Sequence, residues 1–544
     1  MTDALHLGQG LLPLMLVAAA GLLARAWPGR GLPVADRLLG SKAAPLLAGV
    51  ATSLVVYQVW GSLDAAPIIH DEAAYLLQAQ MLAQGHLVGP ARPLPQFFEQ
   101  FHVFVTPVLT ARYPLGFALT LVPGVWLGLP GLVPVLLSGL TGAMLFVMAR
   151  RLSTPSVALL AWLLWVVTPG NLRFRPSYLT ESLTGLLWLA SWWTLLEWRR
   201  TGRRGWLLGL SLLIAWQVIT RPVTAIAFTV PVAVVVLVTT SRSGRWGDLA
   251  TAMALGVACL SVLPYQNLVT TGNWRVTPLS EYSRVYFPFD LPGFGLDSTP
   301  PQRALPADFQ AFAARFAPLH RDFVPARLPV ILAHRTGLML LDAWGRWWPA
   351  FAILAVAGLL SGGREAHFGA GTALVLLLCY LTFAHDDRWM VYYLEGQTVL
   401  LFLVAAGAWR FLRQIVGPAP GAGEPRASLA LLLLCLCAAA SWPGAIRDAR
   451  ATARYVSFDQ ERFRRQVAAL PGPAVVFIRY GPDHDLNHSL ITNEPDLQRA
   501  HAWLVYDLGG ENAELMSLAP ERTAWLYEED RRRFVRLPQT GVPQ

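Results

Sequence analysis

AAPLLAGVATSLVVYQVW (43–60), followed by HDEAAYLLQAQMLAQG (70–85), decides how the whole chain is read. The first stretch is apolar and about the length a helix needs to cross a bilayer. The second opens on His70-Asp71-Glu72, two adjacent carboxylates placed where that helix leaves the membrane. Ionisable side chains are costly there, so the pair marks a candidate chemical site at the lipid–water boundary.

Composition extends this reading to the rest of the chain. Of 544 residues, 54% are hydrophobic and only 14% charged, with 21 tryptophans. Soluble domains carry roughly 25% charged residues. Apolar runs recur near 10–26, 43–60, 130–149, 153–169, 179–196, 206–221, 223–240, 248–265, 347–361, 369–384, 397–411 and 427–442. We expect a mainly α, polytopic transmembrane bundle of about twelve helices. The N-terminal run lacks a basic leader and a small-residue cleavage site, so it reads as a retained helix and not a signal peptide.

The formal charge of +9 is almost all arginine, Lys42 being the only lysine. No basic block is interleaved with aromatics, which excludes a nucleic-acid surface. Basic groups follow the first run (Arg25, Arg30, Arg37, Lys42), the third (Arg150, Arg151), the fifth (Arg199, Arg200, Arg203, Arg204), the seventh (Arg242, Arg245) and the eleventh (Arg410, Arg413, Arg426). An even number of crossings separates each group from the next, so one side collects them, and that side reads as cytoplasmic. Both chain ends and the long loops 61–129, 266–346 and 385–397 then face outward. Within them, 115–130 is apolar but broken by Pro and Gly and reads as re-entrant or interfacial. RLPVILAHRTGLMLLDAWGRWW (327–348) reads as a helix lying on the surface. PAPGAGEPR (418–426) reads as a flexible turn. After Pro443 the composition changes: AVVFIRY (474–480) and AWLVYDLG (502–509) read as strands of a small soluble α/β domain over 443–544. Cys259, Cys379, Cys435 and Cys437 lie in apolar runs and read as buried hydrophobes.

Asp71 and Glu72 are the first candidates for chemistry. Capping explains such a pair in plain terms, since Asp favours a helix start and Glu its first turn. A carboxylate held by a helix start in a partly dry cleft also suits a general base. Tyr75 shares the face of Asp71. Arg173, Arg175, Arg221 and Arg388 sit at outer helix ends, where positive charge is disfavoured. Snorkelling or pairing with Glu181, Asp386 or Asp387 accounts for them, and so does a phosphate cradle, because guanidinium matches phosphate oxygens. Tyr392, Tyr393 and Glu395 lie beside Arg388 and suit sugar contact or interfacial packing. His70 with Asp71, and His385 with Asp386 and Asp387, leave room for a divalent cation between two loops, with a spacing that matches no metal signature. His484, Asp485 and His488 read as a surface turn. No Walker loop, G-x-S-x-G or H-E-x-x-H occurs, which excludes nucleotide-driven transport of that type and the commonest hydrolase chemistries.

HDEAAYLLQAQMLAQGHL, RYPLGFALTLVPGVWLGLPGLVPVLLSGLTGAMLFVMARRL, NLRFRPSYLTESLTGLLWLA, ITRPVTAIAFTVP, PYQNLVTTGNWRVTP and RWMVYYLEGQTVLLFLVAAGAW, in this order, resemble the GT-C membrane glycosyltransferases. The likeness spans most of 43–411. It points to the bacterial branch with lipid A aminoarabinose transferases, galacturonosyltransferases and relatives of protein O-mannosyltransferases. The resemblance implies a multi-pass protein of the bacterial inner membrane with an extracytoplasmic C-terminal domain. It implies a sugar donor on polyprenyl phosphate, a lipid, glycan or protein acceptor, and Asp71, with Glu72 beside it, acting on the acceptor. A transporter or lipid-linked-sugar flippase is the alternative; it favours ionisable groups at mid-membrane depth and repeats between halves, and no repeat is visible here.

Overall fold

The computed structural model describes residues 10–27, 33–417 and 423–538. Arg30, the first nine residues and 418–422 of the expected turn lie outside them. Each of the twelve apolar runs is a helix: Leu12–Ala26, Ala43–Trp60, Leu132–Leu152, Pro155–Val166, Glu181–Thr201, Arg204–Thr220, Pro222–Ser243, Trp246–Leu260, Trp348–Ser361, Arg364–Cys379, Leu394–Val416 and Gly423–Ala440. Among the described residues eight helices are long and apolar enough to cross a membrane. Residues 423–426 belong to the last helix and not to a turn. Glu424 stands in its first turn, and Pro425 is tolerated there because those N–H groups have no intrahelical partner.

Close packing of small residues holds the bundle. Gly358 and Gly407 face each other where Trp348–Ser361 crosses Leu394–Val416. A Cβ on Gly407 would lie 1.8 Å from the Leu354 carbonyl oxygen, and one on Gly358 would lie 2.0 Å from that of Leu403. In lipid, such backbone approach supplies the dispersion contacts that drive helix association. The basic residues gather at one end. Arg151 and Arg200 pair with Glu197, Arg199 with Glu365, and Arg150 donates to the Leu39 and Ser41 carbonyls.

The opposite end carries the long segments. His70–Ala83 is a helix, and Gly116–Trp126, the stretch expected to be re-entrant or interfacial, is a short helix packed beside it through Tyr75, Ala79, Phe117 and Leu121. Between them a small antiparallel sheet runs β1 (Gly89–Pro90), β3 (Val108–Ala111), β2 (Val103–Phe104) across. Leu328–Trp344 exposes Val330 and Leu341 but buries Arg335, Met339 and Trp344 against the bundle.

Beyond the last apolar helix the chain turns at Ser441 into one long polar helix, Trp442–Ala468. It leads into a sheet ordered β5 (Ala502–Tyr506), β4 (Ala474–Arg479), β6 (Thr523–Glu528), β7 (Arg533–Arg536); the first three strands are parallel and β7 is antiparallel. One face of this sheet shares a core with the first outer segment. Val475, Phe477 and Trp503 pack with Leu77, Met81, Phe97 and Phe98. Arg92 reaches across to the Pro495 and Glu494 carbonyls at 2.9 and 2.5 Å.

Candidate active site

The β2–β3 hairpin places its flanking residues side by side. Val103 pairs with Ala111, so His102 and Arg112 are neighbours across the ladder, and the Arg112 N–H donates to the His102 carbonyl at 2.9 Å. His102 sits at φ 64°, a left-handed backbone that a bulky residue adopts only when its surroundings impose it. Here the Tyr282 hydroxyl accepts from the His102 N–H at 2.9 Å. The helix start at His70 faces this hairpin. Tyr113 donates its hydroxyl to Asp71 Oδ1 at 2.5 Å, and His102 Nε2 lies 3.8 Å from Asp71 Oδ2. Burial, reinforced by the Arg112 charge, holds the His102 ring well below its usual pKa, so it is neutral. Burial and the Asp71 charge keep the Tyr113 phenol protonated, as a donor to Asp71 must be.

Arg112 completes the site. Its Nη1 lies 3.3 Å from Asp290 Oδ2, its guanidinium is 5.4 and 5.2 Å from the Tyr113 and Tyr282 ring centres, and its Nε is buried without a partner. Asp290 Oδ1 is 3.9 Å from His320. The arrangement offers a carboxylate with one oxygen fixed and a partly exposed side chain, within the electrostatic reach of a guanidinium whose Nε has no partner. Such a pair can accept a proton and hold an anion.

Adjacent in sequence, Asp71 and Glu72 have opposite surroundings. The Asp71 side chain is 39% exposed. Glu72 is buried, and its carboxylate accepts from the backbone N–H of Ile68 at 2.6 Å, Ile69 at 3.2 Å and Tyr178 at 3.0 Å. Burial raises its pKa to about 7 against the pull of those donors. Glu72 therefore ties the loop, the helix start and the 178 turn together and offers no free oxygen to a substrate.

The other expected residues divide into two groups. Arg221, Glu181, Tyr392 and Glu395 form a buried polar layer inside the helices. Arg221 pairs with Glu181, donates to the Val391 carbonyl at 3.3 Å and lies 4.9 Å from the Tyr392 ring centre. Thr184 donates to Glu395 Oε1 at 2.5 Å, and Glu395 Oε2 has no partner. Tyr75 stacks on Tyr113 at 4.7 Å and feels the charges of both Asp71 and Arg221, which puts this layer next to the Asp71 site. Arg175 is buried against Trp165 and bonded to Asn171, with Nη1 unpaired.

Arg388, Arg173 and Tyr393 are not brought to Asp71. Arg388 is 73% exposed and paired with Asp386. It lines a separate cavity of about 270 Å³ with Arg315, Trp389, His484 and Asn487. Arg173 is exposed, and the Tyr393 hydroxyl is bonded to His385 at 3.0 Å. That bond and the Asp386 carbonyl occupy both nitrogens of His385, while His70 Nε2 is 2.7 Å from the Leu486 carbonyl. The two loops therefore do not meet as a cation site, and no cluster of three ligand-type side chains occurs among the described residues. His484, expected on a surface turn, is buried on Tyr480 and bonded to Glu529 at 2.8 Å. The turn itself is at the surface as expected, with Asp483, Asp485 and Asn487 exposed, and its Leu486 carbonyl meets the His70 helix start.

Sequence reasoning missed Arg112, Tyr113, His102 and Asp290 as site residues. The first two stand in the quoted segment RYPLG, directly before a helix, and that position was the available signal. Asp290 and His102 are joined to Asp71 only by chain folding over long separations.

The chain superposes on a crystal structure of ArnT from Cupriavidus metallidurans bound to undecaprenyl phosphate with a TM-score of 0.51, at 14% sequence identity, over 90% of this chain and 94% of that one. This chain shares the fold of that ArnT. The apo crystal structure of the same ArnT matches with a TM-score of 0.47 at 14% identity, over 88% and 92% of the two chains. No protein-family model and no curated protein sequence matches the chain. That shared fold agrees with the mainly helical membrane bundle expected from the sequence.

Proposed function

We propose that the protein is a membrane glycosyltransferase that moves a sugar from a polyprenyl-phosphate-linked donor to an acceptor hydroxyl on the extracytoplasmic face. The open Asp71 carboxylate beside Arg112, at the end of the bundle opposite the gathered arginines, is the observation that carries this reading. The fold, shared with an ArnT crystallised with undecaprenyl phosphate, supports it.

In the proposed reaction Asp71 Oδ2 takes the proton of the acceptor hydroxyl, whose oxygen bonds to the anomeric carbon. The bond from that carbon to the lipid phosphate oxygen breaks, and its electron pair leaves with the phosphate. Arg112 stabilises the growing charge through its unused donors, and Arg221, held by Glu181, adds positive potential from the layer behind. Tyr113 fixes the rotamer of Asp71, so its free oxygen is aimed before substrate arrives. Glu72 holds the loop and Arg388 lies outside this step. The test is sugar transfer from polyprenyl-phosphate donors in membranes carrying the Asp71→Asn variant. Transfer at the wild-type rate rejects Asp71 as the base.

A further inference from the structure

A second arginine site lies where the chain leaves the bundle for the last time. The apolar helix Gly423–Ala440 exposes Leu436, and Trp442 opens the long polar helix one residue after the Ser441 turn. Trp442 donates its indole N–H to the Leu163 carbonyl at 3.1 Å, which anchors the turn to the bundle. Just above it, a groove of about 750 Å³ opens between this helix and the end of Ala43–Trp60. Gln58, Trp442, Ile446, Arg447, Arg450 and Arg454 line it. Spacings of three and four residues put the three guanidinium groups on one side of the helix.

These arginines differ from those further along the same helix. Arg464 is paired with Asp64 at 2.5 Å, and Asp459 with Arg532 at 2.8 Å. Among the described residues, Arg447, Arg450 and Arg454 have no carboxylate within ion-pairing distance. Three uncompensated cations in one groove repel one another unless an anion joins them. The groove floor is apolar at Ala439, Trp442 and Ile446, exposed Leu436 lies three residues before Ala439 on the same side of its apolar helix, and Tyr455 and Phe458 are exposed further along the polar helix. A ligand that fits must be anionic at one end and apolar at the other.

We propose that this groove binds the phosphate head group of an anionic glycerophospholipid from the surrounding leaflet, its acyl chains lying along Gly423–Ala440. The bound lipid fixes the depth and tilt of Trp442–Ala468, the helix that carries the β4–β7 domain to the Asp71 site. Guanidinium pairs with phosphate oxygens in a forked geometry, and the indole of Trp442 sits at the interface level such side chains prefer. The site is separate from the transfer chemistry and stands whether or not that reading holds.

The test uses the full chain in detergent, back-titrated with phosphatidylglycerol or phosphatidylcholine and read by native mass spectrometry. Wild type retains phosphatidylglycerol in preference to phosphatidylcholine. The triple variant R447Q/R450Q/R454Q loses that preference by on the order of a hundredfold in affinity, since each basic group near an anionic lipid contributes roughly a factor of five. The triple lysine variant keeps most of it, which separates charge recognition from damage to the helix. Arg499→Gln, an exposed arginine of the C-terminal domain, changes nothing. Equal retention of the two lipids by wild type overturns the proposal, as does unchanged preference in the glutamine variant. Displacement of the lipid by inorganic phosphate alone also overturns it, because the groove would then be a free-phosphate site.

Discussion

The outer site around Asp71 and the buried layer around Glu181 are both built from carboxylates, guanidinium groups and tyrosines. They differ in access. Asp71 has one oxygen held by Tyr113 and a side chain 39% exposed, whereas the Glu181 side chain is 2% exposed and closed by Arg221 and Thr180. In a low-dielectric interior a lone charge is costly, and pairing with Arg221 offsets that cost for Glu181. At the boundary a carboxylate keeps an open face at modest cost. The same chemical groups are therefore left accessible in one place and closed off in the other.

This contrast can be broken or sharpened by substitution. Asp71→Asn removes the proton acceptor while keeping the Tyr113 hydrogen bond within reach. Sugar transfer should fall by about 10²- to 10⁴-fold, the usual worth of a positioned general base, with the protein remaining monodisperse. Arg221→Met, by contrast, should act on stability first. It leaves Glu181 buried without its partner, which costs about 3–5 kcal/mol, and thermal unfolding in detergent reads that loss. An unfolding midpoint equal to wild type would mean that the buried layer is better solvated than its geometry indicates.

Glu72→Gln tests the two neighbours against each other. It keeps one acceptor oxygen for the Ile68, Ile69 and Tyr178 N–H groups and loses the other, so it should cost roughly 1–3 kcal/mol of stability. Transfer per folded molecule should stay close to wild type. A loss as deep as that of Asp71→Asn would return Glu72 to the chemistry.

Acid should loosen the seam between the His70 helix and the C-terminal domain. The buried His70 ring has its pKa pushed down to about 3, against 6.5 for the free side chain. Between these values the unfolded chain binds a proton that the folded one refuses. Stability is therefore full above about pH 6.5 and declines as pH falls toward 3, by at most about 1.4 kcal/mol per unit from this group. Hydrogen exchange at 484–488 as a function of pH measures it, and His70→Gln should flatten the slope. The smallest effect is expected for Arg388→Ala. Its exposed pair with Asp386 is screened by solvent, so both transfer and unfolding should be unchanged.

The transmembrane plan was legible because each helix announces itself locally. Leu132–Leu152 and Leu394–Val416 are continuous apolar runs that need no reference to any contact to be read as helices. The β4 and β5 strands were visible for a similar reason, as short continuous apolar runs rich in β-branched and aromatic residues between turn residues. The Trp442–Ala468 helix was less so. Its register is polar, and its buried Gln460 and Phe463 face a loop and a sheet that lie far away in the chain.

The candidate site was legible only as a place. By itself the sequence determined that an acid pair stands at the end of an apolar bundle opposite its main arginine clusters, because hydropathy and charge act residue by residue. Which carboxylate stays open was decided by the tertiary structure. Glu72 is claimed by N–H groups from 68, 69 and 178, and Asp71 receives Tyr113 from a hairpin whose register no local pattern specifies. Arg112 meets Asp290, and His70 meets Leu486, across separations that only the packed chain closes. Hydrogen bonds of this kind depend on distances between remote segments, and such distances are properties of the fold.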